Sequence, residues 1–362
     1  MDVHNFLNLI EAKDNDVLIE LKKCNNNGLK TFIYGAGEGA DNIKKRFSKN
    51  IKLAGMLVDK EFQYSTTNIL SIEDILSREK INIIVGHRGF KESKIEKYKK
   101  NIGILINLDC FAGNYDADPC FFKRTFVEEN AISLLKVYEK LQDETSKKTF
   151  IAYINQKISM NYKYLKDLYL TEDQYFLKPV IKLVENECFV DCGAYIGDTV
   201  ESLIKHINNE GLNYQAIYSF EPDKNNYKKL VNMGIKKLHS YCMATSNKKT
   251  ELNFSSIGKG SSSRLTSYNS AEKIVVDKLD NVLKGKKVTF IKMDIEGHEL
   301  DALKGAEYII RNNKPKLAIC IYHKKEDLWQ IQEYIQNIVP SYKFYVRAYD
   351  YTATELVLYA VV

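Results

Sequence analysis

Between Val288 and Ala306 the chain runs VTFIKMDIEGHELDALKGA, and Asp294, Glu296, His298 and Glu299 crowd into its middle. The β-formers Val288-Thr289-Phe290-Ile291 precede them, and Leu300 and Leu303 follow at helical spacing. The acids therefore sit where a strand hands over to a helix. In open α/β sheets ligands bind outside the carboxyl ends of the strands, so this cluster is expected on a pocket rim. Glu296, His298 and Glu299 are candidates for holding an acceptor, with Asp294 facing the chemistry. The carboxylates of Asp294, Glu296 and Glu299 could instead ligate a divalent cation, and the sequence leaves the metal unknown. A simpler reading is a helix start whose acids complement the dipole.

A second constellation begins at Cys188-Phe189-Val190-Asp191 and continues through Cys192-Gly193-Ala194-Tyr195-Ile196-Gly197. A strand entering D-x-G-x-x-x-G has a wider loop than a dinucleotide turn, and suits a nucleoside carrying an amino-acid tail. Asp191, Gly193, Ala194 and Gly197 would form that loop. The next strand, Ala216 to Phe220, ends at Glu221, an acid able to accept hydrogen bonds from both hydroxyls of a ribose. A third, Leu238 to Tyr241, leads to Cys242-Met243-Ala244, where an adenine edge would lie. Three strand ends in register describe an adenosine pocket.

The amino-terminal part carries its own glycine turn. Thr31-Phe32-Ile33-Tyr34 is a short strand, Gly35-Ala36-Gly37-Glu38-Gly39-Ala40 a turn, and Ala40, Ile43 and Phe47 a helical stripe. The strand Leu53 to Val58 then closes on Asp59. This is a nucleotide-binding half-fold by pattern, with Gly35, Gly37 and Gly39 beside phosphate and Asp59 placed for a ribose. Strands at Ile81 to Val85 and Ile104 to Leu108 complete a small sheet, which resembles the nucleotide-sugar-binding domain of bacterial sugar acetyltransferases.

The totals narrow the setting. A length of 362 residues favours two domains, and 44% hydrophobic with 28% charged residues describes a globular chain. The net charge of +6 is spread out, so lysine clusters such as Lys97, Lys99 and Lys100 are solvated faces and no nucleic-acid partner is expected. No window is apolar enough to span a membrane, and the acidic amino terminus is not a signal peptide. The seven cysteines are scattered, which fits a reducing cytoplasm rather than a disulfide framework or a zinc site. A homo-oligomer is left open.

The segments QYF at Gln174 to Phe176, FVDCGAYIGDT, SFEP, KMDIEGHELDALKGA, IYHKKEDLW and ELVLYA resemble the FkbM family of S-adenosylmethionine-dependent methyltransferases. The resemblance runs from about Asp118 to the end of the chain. It implies a seven-stranded, mostly parallel class I methyltransferase sheet with a reversed terminal strand, and methyl transfer to an oxygen, often a sugar hydroxyl. By this resemblance Asp191, Gly193 and Gly197 hold S-adenosylmethionine, Glu221 its ribose, and Cys242 and Met243 its adenine, with Tyr175 and Phe176 closing over the site. The expected layout is a Rossmann-like unit over 1–115, a helical connector over 116–185 and the methyltransferase domain over 186–362.

A hydroxyl is a poor nucleophile until its proton leaves, so a base is required. His323 follows the apolar strand Lys316 to Tyr322 and is expected on the same rim as Asp294, as the base that Asp294 orients. Helical periodicity directs His298 outward. Arg264, after the polar Gly258 to Ser263 loop, could meet an anionic acceptor group. Arg347 and Tyr349 are placed toward the substrate side, whereas Trp329 belongs to the packing of its helix. The expected activity is O-methylation of a carbohydrate, as a nucleotide sugar or surface-glycan intermediate. Two alternatives are a cofactor-binding protein without turnover and an NAD-dependent oxidoreductase using the Gly35 turn.

Overall fold

The computed structural model describes the chain apart from residues 15, 63–68, 88–89, 91, 109–121, 160, 257–262 and 266–271, with backbone alone at 92, 254–256, 263–265 and 272. Two sheets of parallel strands organise it. The first comprises β1 (Thr31–Tyr34), β2 (Gly55–Val58), β3 (Ile69–Ser71), β4 (Ile81–Val85) and β5 (Ile102–Asn107), paired in the order β3-β2-β1-β4-β5. Strands β1 and β4 are buried at every position, as parallel strands covered on both faces must be. Strand β3 has only three residues and no alternating pattern, and sequence reasoning passed over it.

The second sheet takes β6 (Glu187–Cys192), β7 (Tyr214–Phe220), β8 (Leu238–Tyr241), β13 (Phe290–Met293), β14 (Lys316–Cys320), β15 (Lys343–Ala348) and β16 (Leu356–Val361). Its order is β15-β16-β14-β13-β6-β7-β8. All neighbours are parallel except around β16, which runs antiparallel to both β14 and β15. This is the seven-stranded class with a reversed last strand that the resemblance implied. From β6 the chain proceeds to β7 on one side, while β13 lies on the other. The loops after β6, β7 and β13 therefore part and leave a crevice at the switch point. Between β8 and β13 stand β9 (Ala244–Thr245), β10 (Thr250–Ser256), β11 (Ser263–Leu265) and β12 (Glu272–Asp277), a side sheet in the order β11-β10-β12-β9.

Helices at Arg124–Glu129, Ala131–Lys140 and Glu144–Ser159 account for the first part of the connector. The expected continuation of helix to Leu183 does not occur. Residues 171–183 instead lie across the large sheet and bury Tyr175, Phe176, Leu177, Ile181 and Leu183 against it. Positive φ at Asp173 and Tyr175, and Pro179 without an amide hydrogen, are incompatible with a helix there. The backbone is satisfied by other elements: the Leu170 amide donates to the Ala348 carbonyl (2.8 Å), and the Tyr175 amide to the Tyr359 hydroxyl (3.1 Å).

The expected boundary near residue 115 falls outside the described residues. At the other end, the first helix, Val3–Asn8, packs away from the small sheet. Phe6, Ile10 and Ala12 belong to the core of the large sheet, whereas Val17, Leu21 and Cys24 belong to that of the small one. Asn155 accepts from the Ala12 amide (2.8 Å), and the Arg124 guanidinium donates to the Ala12 carbonyl (3.0 Å).

Candidate active site

The crevice holds a cavity of about 340 Å3, within the range of small-molecule sites. Its walls come from the ends of β6 (Gly193, Tyr195), β7 (Glu221, Pro222) and β13 (Asp294, Ile295, Glu296, His298). The connector adds Gln174 and Tyr175, the turn after β14 adds Tyr322, and Glu355 enters just before β16.

On the β7 side, Glu221 is buried, and its two oxygens accept the amide hydrogens of Tyr195 (2.8 Å) and Asp223 (2.8 Å). A carboxylate offers about four lone-pair directions, so two remain for a vicinal diol. Burial raises the Glu221 carboxyl to about 7, against those two amides. Beside it lie Phe220, Ala244, Thr245 and Ile274, a flat apolar slot. Cys242 is exposed, and neither it nor Met243 lines the cavity, contrary to expectation. Strand β8 stops at Tyr241, whose ring stacks on Phe220 at 5.0 Å, and the two residues that follow form a bend that delivers Ala244 to the wall.

The loop after β6 is shaped by its own protein neighbours. A Cβ at Gly193 (φ +80°) would lie 1.8 Å from the Asp294 carbonyl oxygen, and one at Gly197 (φ +96°) 2.1 Å from the Met233 sulfur. Glycine at 193 thus lets β13 end against the β6 loop. Glycine at 197 lets the helix Asp198–Asn209 start against residue 233. Ala194 is fully buried, its amide bonded to the Phe220 carbonyl (3.1 Å), and it does not reach the cavity.

Asp191, expected to face the cofactor, is also fully buried behind the wall. Its partner is Lys292, the third residue of β13, whose Nζ lies 3.0 Å from Asp191 Oδ1 and donates to the Gly193 carbonyl (2.8 Å). The pair is close in space, but the carboxylate makes no aligned hydrogen bond. Burial raises the Asp191 carboxyl to about 6 while Lys292 restrains it, and the ammonium stays charged because Asp191 and Asp294 outweigh its own burial. A lysine inside a run of apolar β residues was the available signal, and sequence reasoning missed it.

On the β13–β14 side, Asp294 faces the cavity and accepts from the hydroxyls of Tyr175 (3.1 Å) and Tyr322 (3.3 Å). His323 stands behind it and does not line the cavity. Its Nδ1 lies 3.0 Å from Glu299, and its Nε2 lies 3.5 Å from Asp294 and 3.7 Å from Glu296. Burial disfavours the imidazolium, yet Glu299 and then Asp294 and Glu296 raise it to about 9. With a carboxylate near each nitrogen, the ring is placed to hold these three acids together behind the cavity wall. Glu299, fully buried, also accepts the Ile295 amide (2.8 Å), which fixes the turn that aims Asp294. The close group of Asp294, Glu299 and His323 thus sets two carboxylates against one imidazole ring. His298 lines the cavity rather than pointing outward, because it caps the helix Glu299–Lys304 from the residue before it. Phe176 packs beneath the sheet against Phe189 and Phe290, while Tyr175, one residue earlier, turns into the cavity.

Arg264 falls in β11, and its side chain lies outside the described residues, as does the Gly258 to Ser262 part of its loop. Arg347 does not face a substrate: it is held by Asp143 (2.7 Å) and Ser146 (2.7 Å). In the small sheet, Gly35 ends β1 against Gly86, Gly37 caps the helix Glu38–Phe47, and Gly39 lies inside that helix. Asp59 receives the Tyr34 hydroxyl on one oxygen and Lys94 (3.3 Å) on the other. No helix among the described residues is long and apolar enough to cross a membrane.

A mostly parallel seven-stranded sheet with a reversed last strand and an acid-walled cavity at its switch point defines a Rossmann-like α/β architecture. Residues 191–351 match the family model described as the methyltransferase FkbM domain. The whole fold is similar to the crystal structure of methyltransferase FkbM from Methylobacillus flagellatus KT, with a TM-score of 0.71 and 21% identity over 99% of this chain and 98% of that one. No curated protein matches the chain. The family match thus covers most of the large-sheet half of the chain, and the likeness in fold extends over the small sheet as well.

Proposed function

We propose that the protein transfers a methyl group from S-adenosylmethionine to a hydroxyl of a carbohydrate. The observation that carries the reading is Glu221: a buried carboxylate at the end of β7, fixed by two amides, with capacity left for a ribose diol beside an apolar slot. The rest of the wall suits the same ligand. Asp294, Glu296 and Glu355 give it a carboxylate-rich end, favourable to a sulfonium cation and to hydroxyl donors. The methyl donor supplies an activated carbon whose transfer needs only a close, aligned nucleophile. The protein's part is to bind, to align and to accept the hydroxyl proton. Tyr175 and Tyr322 hold Asp294 where it can orient the acceptor.

A tyrosine-walled cleft of about 520 Å3 between the sheets, with Tyr162, Tyr169, Tyr351 and Asn107 in its lining, suits the ring faces of a larger acceptor. The test is direct. Calorimetry should show S-adenosylhomocysteine binding, weakened about tenfold or more in Glu221→Gln, because a charge-assisted pair is replaced by a neutral one. A radiolabelled methyl donor offered with sugars, oligosaccharides and nucleotide sugars should label one class. Binding without transfer to any acceptor would favour a non-catalytic cofactor-binding protein.

A further inference from the structure

With His323 clamped behind Asp294, the wall needs another proton acceptor, and Glu355 occupies the place. It opens β16, lines the cavity, and is fixed by Gln174, whose amide donates to it at 2.8 Å. The carboxylate oxygens of Asp294 and Glu355 and the Cys320 sulfur lie within 4.8 Å of one another. The two acids are held differently. Asp294 receives two tyrosine hydroxyls and lies 3.5 Å from the His323 ring. Glu355 has the neutral Gln174 and a half-buried setting.

We propose that Glu355 is the general base of this methyltransferase, and that Asp294 beside it orients the acceptor hydroxyl. The inference rests on the reading of the cavity as a hydroxyl-methylating site. The hydroxyl proton passes to the Glu355 carboxylate as the oxygen bonds to the methyl carbon; the carbon–sulfur electron pair remains on sulfur, and the donor leaves as a neutral thioether. Glu355 then returns the proton to water.

Every packed element contributes to the environment of that carboxyl. Burial and then Asp294 raise it to about 8, Gln174 opposes, Asp350 raises and His323 opposes. Tyr175, Tyr322 and Cys320 also face it, and all three are held in their neutral forms, chiefly by burial. A carboxylate tuned toward the working pH is what proton abstraction from a hydroxyl requires.

The test needs no knowledge of the acceptor for its first half. Infrared titration of the full-length protein should show a protonated carboxyl band at pH 7 that Glu355→Gln removes. It should discharge near pH 8, and its midpoint should fall by about one unit or more in Asp294→Asn. Three results each overturn the proposal: no Glu355-dependent band, a midpoint unmoved in Asp294→Asn, or discharge of the band by stoichiometric Mg2+ or Mn2+, which would make the pair a cation site. With an acceptor from the labelling panel, Glu355→Gln should lower kcat about 100-fold or more. S-adenosylhomocysteine affinity should stay unchanged, and turnover within about threefold of wild type refutes the assignment. Failure of wild-type protein to bind S-adenosylhomocysteine would defeat the functional reading instead, and is measured separately.

Discussion

Two histidines and several acids gathered near two neighbouring strand ends invite a base to be chosen by residue type, and packing decides otherwise. His323 has the intrinsic titration range of a base, but three carboxylates around a buried ring move it out of that range. The same charges make it a stabilising group. Its folded value of about 9 lies above its ordinary value of 6.5, so its contribution is complete below about pH 6.5 and is lost as pH rises through 9. A shift of that size corresponds to about 3 kcal/mol. The stability difference between wild type and His323→Gln, from urea melts, should therefore be largest near pH 6 and shrink markedly by about pH 9.5. An unchanged difference across that range would mean that the ring is neutral in the folded protein.

Elements explain where sequence reasoning succeeded and where it ran out. The strands β1, β4, β6, β7 and β13 were legible in the sequence, and the residues that follow β7 and β13, Glu221 and Asp294, line the cavity. Tyr175, Glu296 and Gly193 were also brought there. The departures all arise from tertiary neighbours. Asp191 has the spacing of a ligand residue, but the side chain across from it on β13 is a lysine, and register (Asp191 beside Lys292) turns it inward. Glu355 gave no signal beyond being an acid before a strand, since its position depends on the antiparallel insertion of β16 between β14 and β15. The β6–β13 pair carries its own prediction. Lys292→Met alone leaves Asp191 buried and unpaired and should cost about 3–5 kcal/mol. The double variant Asp191→Leu with Lys292→Met should recover most of that in denaturant melts, because apolar packing replaces the pair. If the double variant is less stable than either single one, the pair is not acting as a self-contained unit.

For the whole molecule, the small sheet is held at both of its ends by the large one. Phe6 and Ile10 are buried in the large-sheet core, more than a hundred residues before its first strand. Two further contacts cross directly: the Tyr351 hydroxyl donates to the Phe90 carbonyl (2.6 Å), and Asn107 donates to Tyr351 (3.0 Å). Removing residues 1–12 should therefore lower the stability of the large-sheet half, by about 3 kcal/mol or more if Phe6 alone is counted as lost core. Thermal melts of the truncated and full chains, followed by cofactor binding, would measure this; an unchanged melt would show that the first helix is dispensable. Composition could not reveal this arrangement, because Phe6 and Ile10 look like any short amphipathic start.

That first helix also changes where the protein can be cut and rejoined. Because residues 1–12 and the chain from Phe122 onward both pack in the large-sheet core, the small sheet behaves as cargo between two anchor points, not as a leading module. An exchange of the small sheet for that of another enzyme should splice near residues 13 and 122 and keep the native start. A conventional fusion at one junction near residue 115 would carry away the helix that the catalytic half depends on.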